Sequence, residues 1–334
     1  MSGNNYFPEL KGKSDKRRLV AALNHEKTDR APNFEIVIMG RSVSNIMNRN
    51  DSGTINMLPV EDQLELARRI GQDAVPCPLS YYPSVYGLIH ERGDEKKLVF
   101  PDPAEKYLKL KKHCDFFKNT EVGVIAQLTG CMAPAYMSYG PVPIQDFLCL
   151  LYDDEEYACF LMELFRDYTL RIINAVKDLP FDAFYIGDDL GSNNGPLISP
   201  EMIKNLWAPR MKEIMEAAKA LNKPVIFHCC GDQGPILPYM QEWKINAVHP
   251  LQPPVNDIYK IAAEYGDVIT MVGNIDVATT LTFGTPDEVY EDTRKHIEKL
   301  GRNGGYVVCS SHSIIDSIPP ENYLSMIKAA HDGF

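Results

Sequence analysis

His228-Cys229-Cys230-Gly231-Asp232 directly follows the apolar run Pro224-Val225-Ile226-Phe227, which reads as a buried strand. Side chains on a strand alternate between faces. His228 and Cys230 therefore point the same way, about 7 Å apart along the strand, and Cys229 points into the outer core. An imidazole and a thiol side by side at a strand end form half of a zinc site. The commoner fate of the same two residues is a buried thiol and a core histidine that donates to a carbonyl. Cys309-Ser310-Ser311-His312 offers two ways to complete the set, through Cys309 or through His312. The offset between them is odd, so a regular strand presents only one of the two. Three protein ligands with one open position is the catalytic zinc pattern. Use of both would instead close a four-ligand, purely structural site.

Other polar residues interrupt apolar segments in the same manner. Gly187-Asp188-Asp189-Leu190-Gly191 follows a strand-like run, and either aspartate could orient a metal-bound histidine, hold a substrate proton, or cap the next helix. Glu35 sits inside Asn33-Phe34-Glu35-Ile36-Val37-Ile38-Met39, where a carboxylate is costly unless it is paired or faces a site. Asn274-Ile275-Asp276 places Asn274 as a substrate contact and Asp276 as a possible N-cap. Tyr81 and Tyr136 bring rings to loops, where they would wall an apolar pocket or simply pack.

Eight short apolar runs would have to position these groups. They are Asn33 to Met39, Ala74 to Leu79, Gly123 to Leu128, Ala183 to Gly187, Pro224 to Cys230, Ala247 to Leu251, Ile269 to Asn274 and Gly305 to Cys309. Helical periodicity lies between them, with helix starts marked at Ser199-Pro200 and Thr285-Pro286. Eight βα units predict an α/β (β/α)8 TIM barrel, a single domain over residues 1–334, with its site at the C-terminal mouth of the strands. A doubly wound sheet would carry a glycine-rich phosphate turn after its first strand, and Met39-Gly40-Arg41-Ser42 is not one. Val85 to Phe100 is expected to form an inserted hairpin, and residues 142–180 a helical excursion between strands three and four.

Composition sets the outer limits. The 334 residues are 45% hydrophobic and 24% charged, with a net charge of −11 that argues against a nucleic-acid partner. No apolar run approaches the length of a membrane span, and the first residues lack an apolar signal region. The expected location is the cytoplasm, with the eight cysteines mostly reduced.

The chain resembles the uroporphyrinogen decarboxylase superfamily. The resemblance runs through Asp29-Arg30-Ala31-Pro32, Leu197-Ile198-Ser199-Pro200, His228-Cys229-Cys230-Gly231-Asp232, Gly273-Asn274-Ile275-Asp276, Phe283-Gly284-Thr285-Pro286 and Pro320-Glu321-Asn322. It implies a (β/α)8 barrel. The arginine-rich grip of the true decarboxylases is incomplete here, since Val37-Ile38-Met39-Gly40-Arg41 carries one arginine, and Ser80 stands where their aspartate is expected. The resemblance therefore points to the zinc-dependent, corrinoid-linked methyltransferases. In that reading His228, Cys230 and Cys309, or alternatively His312, hold Zn2+, and a corrinoid sits on a partner protein. Glu35, Asp188, Asp189 and His312 are the catalytic candidates, and Tyr81, Tyr136 and Asn274 the substrate contacts. A histidine in place of a thiolate ligand would make zinc more electrophilic. That favours O-demethylation of a methoxylated compound, aromatic ones included, over the alternative, methyl transfer from methylcobalamin to a coenzyme M-like thiol. Uroporphyrinogen decarboxylation and a non-catalytic metal-stabilised barrel are the lesser readings.

Overall fold

The computed structural model describes residues 13–50, 53–80, 86–301 and 303–334. Seven strands form one parallel sheet. They are β1 (Ala74–Pro78), β2 (Gly123–Thr129), β3 (Ala183–Gly187), β6 (Val225–His228), β7 (Ala247–His249), β8 (Thr270–Val272) and β9 (Tyr306–Val307), hydrogen-bonded in that order. A two-strand hairpin, β4 (Gly191–Ser192) with β5 (Gly195–Pro196), stands apart from the sheet after β3. Helices connect the strands and cover the outer face. Two of the sequence signals are realised directly: Ser199 Oγ accepts from Met202 N, and Thr285 and Glu288 form a reciprocal capping box.

The sheet curls around a small inner core of its own. Ile125, Ala183, Tyr185, Ile226, Ala247, Val272, Val307 and Cys309 pack on the inner face, while a much larger apolar set lies between sheet and helices. The two sets come from alternate residues of the same strands, as the period of two requires.

The first of the eight expected strands is not a regular one. Residues 33–38 make isolated parallel bridges, Asn33 with Val308 and Ile38 with Ile314. Phe34 N donates to Val308 O at 3.2 Å, and Asp73 N donates to Asn33 O at 3.1 Å, so the segment touches both edges of the sheet. A side chain takes the place of the ladder. Gln72 accepts from Glu35 N through Oε1, and its Nε2 donates to the carbonyls of Glu35 and Ala74. The sheet is therefore seven-stranded and curled, with helices outside, rather than eight regular strands.

The expected hairpin at Val85 to Phe100 does not form; Val85 itself lies outside the described residues. Residues 86–100 carry one bridge, Ile89 with Tyr139, and a 3-10 turn at Asp94–Lys97. Carboxylates capture the backbone donors that a ladder would use: Asp94 accepts from His90 N and Glu95 from Gly93 N. The helical excursion is present as Pro143–Asp153 and Glu155–Val176.

Candidate metal centre at the mouth of the sheet

Alternation along β3 separates two neighbouring aspartates. Tyr185, Gly187 and Asp189 face inward; Phe184, Ile186 and Asp188 face the helices. Asp188 is fully buried and accepts from the backbone N–H of Cys131, Met132 and Ala133 and from Trp207 Nε1, at 2.6–3.1 Å. It sits at the N-terminal end of the helix Met132–Ser138 and does not line the cavity described below. Burial raises its carboxyl above the usual carboxylate range, and the donors at its oxygens oppose that rise.

Asp189 turns into the mouth. Its Oδ1 accepts from Cys230 N at 2.8 Å and lies 3.5 Å from His228 Nε2. His228 Nε2 and Cys230 Sγ are 3.4 Å apart. The ligand atoms of Asp189, His228 and Cys230 all lie within 4.8 Å of one another, the only such group of three among the described residues. Donors bound tetrahedrally to zinc at 2.0–2.3 Å stand about 3.3–3.8 Å apart. The donor set and its spacings fit the ion.

The loop carrying Cys230 is braced. Gly231 adopts φ +70°, and a Cβ there would meet the backbone of Gly191 and Ser192 at 2.4 Å. Only glycine allows this approach, which sets the β6 loop against the β4–β5 hairpin and so against Asp189. Gln233 Nε2 donates to the carbonyls of Cys229 and His249, and Asn256 Nδ2 to that of Gly231. Cys229 is buried outside the sheet, as its alternation predicts.

His249 holds the far side of His228. The two Nδ1 atoms are 2.7 Å apart, so one ring donates to the other. Tyr185 Oη lies 3.2 Å from His249 Nδ1, and Cys309 Sγ 3.3 Å from its Nε2. Burial pushes both imidazoles below their ordinary range, with Asp189 opposing this at His228. Burial pushes the Cys230 and Cys309 thiols up. A divalent cation is the charge that would satisfy the Cys230 sulfur and the Asp189 carboxylate together.

Several expected site residues fall elsewhere. The structure does not bring Cys309 into the group of three. It lies deeper, against His249 and Glu35, because its strand places it in the inner core. His312 is exposed and lines the cavity without joining the three ligands. Glu35 is buried beneath the mouth, accepting from Ser310 N at 2.7 Å and Ser310 Oγ at 2.8 Å; burial raises its carboxyl to about 8. Asn274 does not line the cavity. Its amide bridges Leu251 O and His296 Nε2. Tyr136 is buried in its helix, and Tyr81 lies outside the described residues. Sequence reading did not single out His249 as the brace of His228, nor Asn56 and Gln127. Gln127 carried the same signal as Glu35, a polar residue in an apolar strand.

Asp189, His228 and Cys230 form one wall of a cavity of about 480 Å³, a size suited to a small molecule. Gln127, Leu128 and Thr129 of β2, Ile36, Val37 and Pro78, and Asn56 and Ser80 line the rest. The cavity opens at the C-terminal strand ends, where barrel-type sheets carry their sites.

A methylcobamide:CoM methyltransferase of Methanosarcina mazei is 25% identical over 182 residues, covering 54% of this chain and 50% of that protein. The chain thus spans about half the length of that relative. A uroporphyrinogen decarboxylase of Hydrogenovibrio crunogenus is 26% identical over 251 residues, covering 72% of this chain and 68% of that one. The solved structure of a methyltransferase from Methanosarcina mazei superposes with a TM-score of 0.73 over 96% of this chain and 99% of that one; at 18% identity it shows a shared fold. The uroporphyrinogen decarboxylase (URO-D) family model matches residues 66–333, and the chain belongs to that family.

Proposed function

We propose that the protein transfers a methyl group between a corrinoid and a small thiol, the thiol being bound at a zinc ion held by Asp189, His228 and Cys230. The observation that carries this reading is the convergence of those three ligand atoms on the cavity wall, in a chain similar to a methylcobamide:CoM methyltransferase. Zinc at this place supplies a Lewis acid that draws the proton from a ligated thiol at neutral pH. A corrinoid carried on a partner protein at the open mouth would be the methyl donor or acceptor.

The chain's own residues do the positioning. His249 fixes the ring plane of His228, as an outer partner does for a metal-bound histidine. The Cys230 N–H pins Asp189 Oδ1. Ile36, Val37, Pro78 and Leu128 keep water from the apolar middle of the cavity. The fold that goes with this function is one domain over residues 1–334, closed by residues 33–38 as an eighth unit, in the cytoplasm.

Demethylation of a methoxylated aromatic compound has less support. It drew on His312 as a ligand and on Tyr136 as a wall, and neither residue takes that place. Uroporphyrinogen decarboxylation calls for cations to hold many carboxylates, and no lysine or arginine lines the cavity among the described residues.

Metal analysis of the wild type and of Cys230→Ser tests the proposal. The expected result is about one zinc per chain in the wild type, loss of zinc in the variant, and loss of methyl transfer from methylcobalamin to 2-mercaptoethanol with it. A variant that keeps its zinc and its transfer rate would refute the ligand set.

A further inference from the structure

The far wall of the cavity bears on which thiol is used. Among the described residues, Asn56 Oδ1, Ser80 Oγ and Gln127 Oε1 are buried without a hydrogen-bond partner, and all three residues line the cavity. They come from three separate places: the turn Ile55–Met57, the end of β1 and the middle of β2. Buried polar atoms left unpaired are costly, so three of them just beneath the surface of one cavity, in residues that line it, point to a wall that a ligand completes with a small side-chain adjustment.

This wall lies across the mouth from the metal ligands. Gln127 pairs in register with Tyr185 on β3, and His228 lies on β6, the next strand after β3. Two strand spacings put the two walls on the order of 10 Å apart, with the apolar side chains between them.

The wall is also uncharged. No lysine or arginine lines the cavity among the described residues, and the ionisable carboxylate there is Asp189. Arg41, close in sequence to the lining residues Ile36 and Val37, is exposed and donates through Nη1 to Asp316 O. A sulfonate or carboxylate tail lying on this wall would thus meet no lysine or arginine among the described residues, on the order of 10 Å from the metal ligands, in a chain whose net charge is −11.

We infer that the thiol carries an uncharged hydrogen-bonding tail, a hydroxyl or an amide, which Asn56, Ser80 and Gln127 recognise, and that thiols with anionic tails are rejected. This inference rests on the thiol-methyltransferase reading. Side-chain amides and a hydroxyl both donate and accept, so they suit such a tail. A site built to bond a polar group discriminates strongly against ligands that leave its own groups unpaired.

Calorimetric titration of the zinc-loaded protein tests it with four probes: 2-mercaptoethanol, 2-mercaptoacetamide, 2-mercaptoethanesulfonate and 3-mercaptopropionate. The neutral pair should bind at least about tenfold more tightly than the anionic pair. Ser80→Ala and Gln127→Leu should each narrow that gap about fivefold or more. Gln127→Lys should turn the preference toward the sulfonate. Ser80 lies beyond its strand, so its variant keeps the test open should the β2 substitutions misfold. Anionic thiols that bind as tightly as neutral ones, or no binding by any of the four, would overturn the inference. Methyl transfer from methylcobalamin is followed separately. Neutral preference without transfer leaves the tail assignment standing and sinks the proposed function. Transfer that favours the sulfonate does the reverse.

Discussion

The two ends of the sheet handle buried polar groups in opposite ways. At the N-terminal end, Asp73 is fully buried. It accepts from Arg18 Nη1 at 2.7 Å, Asp15 N at 2.7 Å and Asn33 N at 3.2 Å, with Arg30 Nη2 at 3.6 Å. Arg18 also grips Asp29, and Arg30 donates to the carbonyls of Ala31 and Gly71. Charges of both signs are present and matched. At the C-terminal mouth, Asp189, Cys230, His228, His249, Cys309 and Glu35 follow one another in contact with no lysine or arginine among them. A paired network holds structure together. A run of soft ligands and acids without a cation is arranged for something that arrives. The same contrast appears within one dipeptide, where Asp188 is saturated by four donors and Asp189 faces the open cavity.

The contrast can be broken or sharpened by substitution. Asp73→Ala removes the buried carboxylate shared by Arg18 and Arg30, leaving Arg18 only the exposed Asp29, and should lower the free energy of unfolding by about 3–5 kcal/mol in urea titration. A cost comparable to that of an exposed surface pair would mean that the N-terminal network is not what holds that end. Asp188→Ala orphans three helix N–H groups and the Trp207 indole. It should cost about 3 kcal/mol while zinc binding survives in whatever protein remains folded. Zinc loss there, with stability intact, would move Asp188 into the metal centre.

Glu35 tests how deeply the mouth's character runs. Its folded pKa of about 8 lies above the ordinary value of 4.5. Between those two values the native state holds a proton that the unfolded state has released. Its stabilising contribution is therefore whole below pH 4.5 and is lost as pH rises through 8. The wild type should lose a few kcal/mol across this window, about 1.4 kcal/mol for each pH unit of separation. Glu35→Gln should show a flatter profile; an unchanged pH slope would refute the burial argument. Asp189→Ala should have the smallest effect on folding, under about 1 kcal/mol, since the carboxylate is partly exposed. It should still weaken zinc binding about tenfold or more, measured by competition with a chelator. If Asp189→Ala were as destabilising as Asp188→Ala, the division between the two aspartates would fail.

Much of the site was legible before the structure. The His228-x-Cys230 pair needed only strand alternation, and the same rule sent Cys229 outward. The third member of the group, Asp189, was not legible, and the reason is geometric. Cys309 and His312 have the chemical softness and the place after a strand, yet depth along the strand decides contact. Cys309 stops one layer too deep, and His312 stays at the rim. Asp189 reaches the pair through a hydrogen bond between two strand ends that are 41 residues apart.

The sequence by itself determined the strand-and-helix rhythm, the faces of individual strands, the helix caps and the family. The first three follow from local periodicity and from donors and acceptors a few residues apart, and the family from the motifs that resemble it. Only the tertiary structure decided that Gln72 would replace a strand ladder at residues 33–38, that Asp189 rather than Asp188 would enter the mouth, and that Asn56, Ser80 and Gln127 would share a wall. Each of those outcomes depends on how distant segments are staggered around a curled sheet. That stagger is set by packing across the whole core, where one residue of shift exchanges inside for outside.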